Sequence, residues 1–289
     1  MSADAQLGVA VAQFAPGRDA VENLDRITGL ATLAVKRGAS LVVFPEYSSF
    51  FADPMDSSFA VNAQKLDGRF VSTLIQLAGR LGATLVAGMV EQVGQGPRFS
   101  NTLVAVTGSG IVATYRKQHL YDAFGQRESD FVVPGAIDAP EIFEVNGIRV
   151  GMQTCYDIRF PEVTRRLVDA GAELVLVPAE WVRGPLKEHH WRTLVTARAI
   201  ENTIYIAAAD HAPPIGVGNS LIVGPMGVHM VEIGEATDVA VAWLSRQRLA
   251  DVRAKNPALA LRRFRVEPID GTPGTPVAVS NTADRLPRD

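Results

Sequence analysis

The chain has 289 residues, of which 47% are hydrophobic and 20% are charged, and its formal net charge is -3 at pH 7. This composition is typical of a globular protein with one large hydrophobic core or two smaller ones. A slightly acidic chain without a dense basic run has no general attraction to nucleic acid or to an anionic membrane, so neither is an expected partner. The amino terminus lacks a signal-peptide pattern and no segment is apolar for long enough to cross a bilayer, so we expect a cytoplasmic protein.

The beginning of the chain alternates between apolar runs and a segment with helical spacing. Residues 7–14 are apolar and rich in valine and alanine, which predicts a buried strand. The apolar residues that follow recur at helical spacing and predict a helix that begins after Asp19 and ends at Gly38. Residues 41–44 predict a second buried strand. A strand-helix-strand unit of this kind is typical of parallel sheets.

The rest of the chain predicts further strands, helices and hairpins. Asn146-Gly147 between two short apolar runs is the strongest short hairpin signal. The mixture of parallel units and hairpins predicts one α/β domain of layered sheets and helices over residues 1–268. From residue 269 to residue 289 large apolar groups are few, so we expect a tail that is mobile or packed on a neighbouring subunit. The predicted helices are 70–81, 163–170 and 191–201, and the predicted strands are 84–90, 102–106, 111–115, 141–145, 148–152, 174–177, 203–208, 221–223, 228–233 and 239–244.

Cys155 is the single cysteine of the chain. A lone thiol cannot form an intramolecular disulfide, so it either fills space in the core, as free cysteines commonly do, or takes part in chemistry. The apolar run 148–152 ends just before it, and Pro161 follows at a predicted helix start, which places the thiol on a strand-to-helix turn. Because functional sites in open α/β sheets gather at the carboxyl ends of strands, this position favours a functional thiol.

Glu46, Lys117 and Cys155 each lie just past the end of a predicted strand. A glutamate in such a position is usually a solvated loop charge, and a lysine at the exit of a hairpin usually lies on the surface. If the three strands are neighbours, however, an acid, an amine and a thiol converge. The joint occurrence favours a site made of all three residues.

The segments around these residues resemble the nitrilase superfamily of carbon-nitrogen hydrolases, in the same order from Leu7 to about Leu244. The resemblance implies a four-layer α-β-β-α sandwich that dimerises into eight layers. It also implies a Glu-Lys-Cys triad of Glu46, Lys117 and Cys155, with Glu128 as a second glutamate near the triad. The matching segments are Phe44-Pro-Glu-Tyr47, Tyr115-Arg-Lys-Gln-His-Leu-Tyr-Asp122, Glu128-Ser129 with Pro134-Gly135, Gly151 to Glu162, Arg198-Ala-Ile-Glu-Asn202, and Gly218-Asn-Ser220 with Pro225 and Gly227.

Amide hydrolysis requires a nucleophile, a proton carrier and a stabiliser for the oxyanion. Cys155 would form a thioester, and we expect the Lys117 ammonium to favour its thiolate. Glu46 would carry the thiol proton to the departing ammonia and then activate water. The oxyanion would be held by Lys117 and the backbone N–H of Tyr156. Glu128 would orient Lys117 or the substrate nitrogen, or would serve only as a buried partner for a cation.

Arg159 lies one helical turn past Cys155 and is a candidate for substrate binding. Its guanidinium group could bind a substrate carboxylate through two hydrogen bonds. The alternative is that Arg159 pairs with Glu162 or another local acid and braces the turn. Further candidates for lining the pocket are Tyr47, His119 and Phe124.

Glu180 and Trp181 follow the strand predicted at 174–177, so we expect them to line the pocket. A carboxylate there would favour a cationic or hydrogen-bond-donating substrate. The alternative is a salt bridge between Glu180 and Arg183. Relative to the family pattern, Glu180 stands where a neutral residue is frequent, and Asn219 stands where many members carry histidine.

These observations predict a cysteine-dependent amidase that hydrolyses a small linear amide to an acid and ammonia and needs no cofactor. No histidine or cysteine cluster has metal-ligand spacing, and no glycine-rich phosphate loop follows a strand. The segment Cys155 to Glu162 resembles omega-amidases and deaminated-glutathione amidases more than true nitrilases, so the ω-amide of a short carboxylic or keto acid is the expected substrate. Alternatives are an N-carbamoyl amidase that also releases carbon dioxide, acyl transfer to an amine, and a non-catalytic binding protein on the same scaffold. A homodimer or higher homo-oligomer is expected from the family resemblance.

Overall fold

The computed structural model describes residues 6–269, so the predicted tail, apart from Ile269, lies outside the described residues. Within them, no helix is long and apolar enough to cross a membrane. The strands are β1 (Gln6–Gln13), β2 (Leu41–Val43), β3 (Thr84–Gln92), β4 (Phe99–Thr107), β5 (Gly110–Arg116), β6 (Phe143–Val145), β7 (Ile148–Met152), β8 (Leu174–Pro178), β9 (Tyr205–Ala209), β10 (Leu221–Val223), β11 (His229–Glu232) and β12 (Asp238–Ser245). The α-helices are α1 (Ala20–Lys36), α2 (Ser58–Asn62), α3 (Arg69–Leu81), α4 (Pro161–Asp169), α5 (Lys187–Asn202) and α6 (Arg246–Lys255).

The strands form two sheets of six strands each. The spatial order is β12-β1-β2-β3-β4-β5 in the first sheet and β11-β10-β9-β8-β7-β6 in the second. In both sheets three neighbouring strands are parallel, β1-β2-β3 and β7-β8-β9, and the flanking strands pair antiparallel. The parallel strands are the ones predicted from the strand-helix-strand pattern, and the antiparallel ones include the predicted hairpins.

The two sheets pack face to face and carry helices on their outer faces. Aliphatic side chains of both sheets form one buried cluster between them, including Leu41 and Leu103 from the first sheet and Val150 and Leu174 from the second. A second cluster lies between the first sheet and helices α1 and α3, and a third lies between the second sheet and helices α4 and α5. This arrangement is the predicted four-layer α-β-β-α sandwich.

Local signals for helix ends and turns are confirmed by the structure. The carboxylate of Asp19 accepts hydrogen bonds from the backbone N–H groups of Val21 at 2.8 Å and Glu22 at 3.1 Å, so it caps α1. Asn146 and Gly147 have φ angles of 47° and 82°. Two successive positive φ angles are what a two-residue hairpin turn requires.

Two helices were not predicted from the sequence. Helix α2 has five residues, of which Phe59 is buried, so it is too short to show a periodic pattern. Helix α6 is mostly polar and buries Leu249 and Val252. Such a helix depends on the surface onto which it packs rather than on its own amphipathic pattern.

Candidate active site

Glu46 follows β2 on a segment held closely by its neighbours. The backbone N–H of Gly88 in β3 donates to the Pro45 carbonyl at 3.1 Å, and a Cβ on Gly88 would lie 2.7 Å from the Glu46 Cα. Only glycine therefore allows β3 to approach this closely. The ring Nε2 of His211 is 2.7 Å from the Glu46 carbonyl oxygen, to which it can only donate. Burial lowers the pKa of His211 to about 4, so the ring is neutral at pH 7.

Lys117 follows β5, and its ammonium group lies between two carboxylates. Its Nζ is 2.9 Å from Glu46 Oε1 and 2.9 Å from Glu128 Oε2. Burial lowers the pKa of Lys117, but Glu128 and Glu46 outweigh burial, and the pKa stands well above its ordinary value. Lys117 is therefore an ammonium ion at neutral pH, although it is almost completely buried.

Asn101 of β4 joins the same cluster through its side-chain amide. Its Nδ2 donates to Glu46 Oε1 at 2.6 Å and to Glu128 Oε1 at 3.2 Å. The hydroxyl of Tyr47 donates to Glu128 Oε1 at 2.7 Å. Burial raises the pKa of Glu128, but Lys117 and the hydrogen-bond donors outweigh burial and hold it below its ordinary value. We call Glu46, Lys117, Asn101 and Glu128 the pocket floor.

The sequence did not point to Asn101, because the predicted strand began at residue 102. In the structure β4 begins at Phe99, and Ser100, Asn101 and Thr102 are all buried. A buried amide needs hydrogen-bond partners. The signal that could have identified Asn101 is the group of polar residues next to an apolar strand, because such residues need hydrogen-bond partners when the strand is buried on both faces.

Cys155 begins a short 3₁₀ helix, Cys155–Arg159, shortly after β7. Its φ angle is 44°. A side chain in this left-handed region is strained by about 1–3 kcal/mol, and such strain is common at functional sites. Burial and Glu46 raise the pKa of Cys155 well above its ordinary value, and Lys117 offsets them only in part. Lys117 favours the thiolate, as expected, but burial and Glu46 outweigh it, so the resting thiol is protonated at neutral pH.

Asp157 fixes the turn that carries Cys155. Its buried carboxylate accepts hydrogen bonds from the backbone N–H groups of Thr154 at 3.1 Å and His119 at 2.9 Å. It also accepts the hydroxyl of Tyr115 at 2.7 Å. Since Tyr115 and His119 flank Lys117 in the chain, Asp157 ties the thiol turn to the lysine segment.

The three strand ends converge, although the strands are not neighbours. Strands β2 and β5 belong to the first sheet and are separated by β3 and β4, whereas β7 belongs to the second sheet. Strands β2 and β5 run in the same direction, so their carboxyl ends lie at the same edge. The facing sheet supplies the thiol at that edge.

A cavity of about 310 Å³ opens over these residues. Eight of the nine predicted site residues line it, namely Glu46, Tyr47, Lys117, Glu128, Cys155, Tyr156, Glu180 and Trp181. The ninth, Arg159, packs against Trp181. His119 and Phe124, two further candidates, do not line the cavity. The His119 ring stacks on Phe160, with centroids 3.8 Å apart.

Arg159 stacks on the rings of Trp181 and Tyr156, which line the cavity, and on that of Phe124. Its guanidinium carbon is 4.7 Å from the ring centroid of Trp181 and 5.9 Å from those of Phe124 and Tyr156. Its Nε and Nη2 atoms are buried without a hydrogen-bond partner in the described residues. The alternative pairing with Glu162 is therefore wrong.

Lys187, the first residue of α5, lies on the same rings. Its Nζ is 4.0 Å from the ring centroid of Phe124 and 2.6 Å from the Tyr121 hydroxyl oxygen. Burial and Arg159 lower its pKa. Among the described residues it has no carboxylate partner within 4.0 Å, and nothing in the sequence distinguished it from a solvated loop lysine. We call Arg159, Lys187, Phe124 and Trp181 the pocket mouth.

Glu180 lies between the floor and the mouth. Its backbone N–H donates to Glu46 Oε2 at 2.6 Å, while its own Oε1 is buried without a partner in the described part of the chain. Arg183 pairs with Glu235, so the alternative salt bridge from Arg183 to Glu180 is wrong. Burial, Glu46 and Asp210 raise the pKa of Glu180 well above its ordinary value, so its surroundings favour the neutral carboxylic acid over the carboxylate.

Residues 8–254 match the carbon-nitrogen hydrolase family. The chain belongs to this family. It is 40% identical over 258 residues to the deaminated glutathione amidase of Escherichia coli O157:H7, which covers 89% of this chain and 97% of that protein. The structure is similar to a carbon-nitrogen hydrolase superfamily protein from Xanthomonas campestris, with an arsenic adduct in its active site, at a TM-score of 0.80 and 27% identity, covering 91% of this chain and 100% of that one.

The hydrolase is also similar to a mutant of the amidase from Nesterenkonia sp. AN1, in which the acetamide moiety of fluoroacetamide is bound covalently at the active site cysteine. The TM-score is 0.76 at 28% identity, covering 90% of this chain and 95% of that one. This carbon-nitrogen hydrolase is a cysteine-dependent amidase of the nitrilase superfamily. The N-carbamoyl amidase and the non-catalytic binding protein are not favoured. In residues 6–269 of the hydrolase, no group of three His, Cys, Asp or Glu side chains could hold a metal ion.

Proposed function

We propose that this amidase hydrolyses the ω-amide of a small carboxylic or keto acid, with the substrate carboxylate held by Arg159 and Lys187. The observation that carries the proposal is the pair of cations at the pocket mouth, which have no carboxylate partner among the described residues. Partly buried charges are costly unless they are paired. A carboxylate at the far end of the substrate would pair both cations while its amide reaches Cys155.

The proposed reaction begins with attack of the Cys155 sulfur on the amide carbon. The thiol is protonated, so it must lose its proton as the carbon-sulfur bond forms, and Glu46 is the base that accepts it. The tetrahedral intermediate collapses when the carbon-nitrogen bond breaks and Glu46 returns the proton to the departing amine. A thioester on Cys155 and free ammonia result.

Water then hydrolyses the thioester. Glu46 takes a proton from the water as its oxygen attacks the thioester carbon, and it returns that proton to the sulfur as the acid leaves. Both half-reactions therefore use one carboxylate, and the enzyme returns to its starting state.

The Lys117 ammonium and the backbone N–H of Tyr156 are the proposed donors to the oxyanion. An ammonium group has three N–H bonds, and Glu46 and Glu128 engage two of them, which leaves one for the substrate oxygen. Tyr156 is the second residue of the short helix that begins at Cys155, where backbone N–H groups lack partners within the helix. Glu128 holds the Lys117 ammonium in position, so that its remaining N–H can reach the substrate oxygen.

Matched substrates test this function. Succinamate carries a carboxylate, and 4-methylpentanamide replaces that carboxylate with an uncharged isopropyl group of similar size. We expect kcat/KM to be at least about tenfold higher for succinamate, since a charged hydrogen bond contributes roughly 1.5–3 kcal/mol. Equal values for the two amides would contradict the carboxylate site. Deaminated glutathione belongs in the panel because of the named relative, with its acid and amine products measured.

Variants and products complete the test. Arg159→Met should remove most of the preference for succinamate, while Arg80→Met, an exposed arginine on α3, should leave it unchanged. An N-carbamoyl amino acid should release little carbon dioxide. Faster release of carbon dioxide and ammonia from that compound than of ammonia from succinamate would favour the carbamoyl amidase instead.

We further propose a cytoplasmic homodimer, and the family resemblance is its support. Light scattering of the purified chain should give twice the mass of 31.0 kDa calculated for one copy. A mass of a single copy at the concentration used for assays would contradict the dimer.

A further inference from the structure

The carboxyl group of Glu180 takes no part in the reaction described above, although its backbone touches both reacting groups. The Glu180 N–H donates to Glu46 Oε2 at 2.6 Å, and the Cys155 sulfur is 3.5 Å from the Glu180 carbonyl oxygen. The residue lines the cavity. Its side chain therefore starts beside the nucleophile and the base and faces the space that a substrate would fill.

The hydrogen-bonding capacity of this side chain is unused. Oε1 is buried, and no hydrogen bond to the Glu180 carboxyl group exists among residues 6–269. Buried polar groups in folded proteins nearly always have partners, and an orphaned one calls for an explanation. A partner that arrives with the substrate is such an explanation.

The surroundings decide which kind of partner fits. Glu46 and Asp210 lie near enough to raise the pKa of Glu180 in addition to the effect of burial. A neutral carboxylic acid has one O–H to donate, whereas a carboxylate only accepts. The fitting group is therefore a substrate oxygen that accepts this hydrogen bond, and not a cation, which the sequence had suggested for an ionised Glu180.

The position of Glu180 decides which part of the substrate it reaches. Glu180 lines the cavity together with Tyr47, which hydrogen-bonds to the floor, and with Tyr121 and Lys187, which hydrogen-bond to each other. The side chain thus lies along the path between the scissile amide and the proposed carboxylate site. The part of the substrate that passes there is its acyl chain.

We propose that the Glu180 side chain is a specificity determinant that hydrogen-bonds to a hydroxyl or keto oxygen on the acyl chain of the substrate. The pocket then favours amides of hydroxy and keto acids over alkyl amides of the same size. This proposal rests on the proposed amidase function and names the substrate class of the same site. It does not depend on the carboxylate site at the mouth.

The test compares lactamide with 2-methylpropanamide, which differ by a hydroxyl in place of a methyl group and carry no carboxylate. We expect wild-type kcat/KM to be about tenfold higher for lactamide, which is the usual scale for one hydrogen bond in a buried site. Glu180→Gln keeps a neutral donor of the same shape and should keep the preference. Glu180→Met should remove the preference without lowering the value for 2-methylpropanamide.

The controls separate recognition from a structural role. Glu144 is exposed on β6, so Glu144→Gln and Glu144→Met should leave both amides unchanged. An equal loss for both amides in Glu180→Met, or no wild-type preference, would overturn the proposal.

A binding measurement keeps the proposal testable when turnover is slow. Saturation-transfer NMR titrations of Cys155→Ala, with and without Glu180→Met, give dissociation constants for the intact amides. We expect Glu180→Met to raise the dissociation constant of lactamide about tenfold and to leave that of 2-methylpropanamide unchanged. If succinamate is not preferred over 4-methylpentanamide but the loss of lactamide affinity in Glu180→Met is observed, the carboxylate site at the mouth is wrong and the Glu180 proposal stands. If Glu180→Met leaves the affinity for lactamide unchanged, the Glu180 proposal is wrong.

Discussion

The pocket floor and the pocket mouth differ in whether their charged groups have partners within the protein. At the floor, Lys117 has two carboxylate partners, and Asn101 donates to both of those carboxylates. At the mouth, Arg159 has two buried nitrogen atoms without a partner, and Lys187 lies on aromatic rings without a carboxylate partner in the described residues. The charged groups of the floor are paired before a substrate arrives, and those of the mouth are not.

This difference separates two requirements of an enzyme. Groups that stabilise a transition state act best when they are already oriented, because they then need no reorganisation during the reaction. Groups that select a substrate act differently: only the correct ligand pairs them. A ligand that cannot pair them leaves buried polar groups without partners, and it therefore binds more weakly. Substitutions at the floor should therefore lower kcat for every amide, and substitutions at the mouth should depend on the substrate.

The largest expected effect is that of Glu46→Gln at the floor. Glutamine keeps the shape but cannot take the thiol proton, so kcat should fall by about 10²- to 10⁴-fold for all amides. Glu91→Gln is the matched control, because Glu91 is buried in the same sheet and bonds to Thr102 and Arg116 outside the cavity. Wild-type kcat in Glu46→Gln, measured by ammonia release, would remove Glu46 from the reaction.

Asn101→Ala should have the next largest effect. The change removes the N–H donor shared by Glu46 and Glu128, which increases the repulsion between the two carboxylates. We expect kcat to fall about tenfold with little change in KM, the scale of one buried hydrogen bond to a charged group. Asn202→Ala removes a buried amide on α5 that does not line the cavity, and it should change stability alone. Similar kinetic losses in both variants would show that Asn101 acts through stability.

Lys187→Met tests the mouth. The side chain keeps its length and its contact with the aromatic rings but loses its charge. We expect KM for succinamate to rise about tenfold, because an ion pair in a partly buried site is lost, while kcat stays within about twofold. The kinetic constants for 4-methylpentanamide should not change. A fall in kcat for both amides would place Lys187 with the floor and break the comparison.

The smallest expected effect concerns the pH dependence of stability. The pKa of Glu180 in the folded state lies above its unfolded value, because burial and then Glu46 and Asp210 disfavour its charge. Its contribution to stability is therefore fully present below the unfolded pKa and is lost as the pH rises through the folded pKa. The titratable groups around it are Glu46, Asp210, Lys117, Glu128, Cys155, Tyr47, Tyr121 and Lys187.

Glu180→Gln cannot ionise, so its melting temperature relative to wild type should rise as the pH increases above the unfolded pKa of about 4.3, and should level off once Glu180 ionises in the folded protein. Each kcal/mol changes the melting temperature of a domain of this size by roughly 2–4 °C, which calorimetry detects. Glu144→Gln, at an exposed position, should keep a constant difference from wild type. A constant difference for Glu180→Gln as well would contradict the raised pKa of Glu180 in the folded protein.

Elements with a local signal were predictable from the sequence. Helix α1 has an N-cap at Asp19 and a glycine with a φ angle of 97° at Gly38, and both lie where the pattern placed them. The buried strands that end before Glu46 and Cys155 were also predictable, because apolar runs are needed between packed layers. Strand β5, which ends before Lys117, is a half-exposed edge strand and was predictable as the partner in a hairpin. Helices α2 and α6 were not, since their stability comes from the surface beneath them.

The sequence by itself determined which chemical groups stand at the strand ends, because apolar runs and turn residues are local properties of the chain. The tertiary structure decided how those groups are paired and ionised. Asn101 reaches Glu46 from a strand 55 residues away, and Glu180 reaches it from 134 residues away. Burial and Glu46 keep Cys155 a thiol, although Lys117 alone would favour a thiolate. Desolvation and charge act through space, so a pattern along the chain cannot contain them.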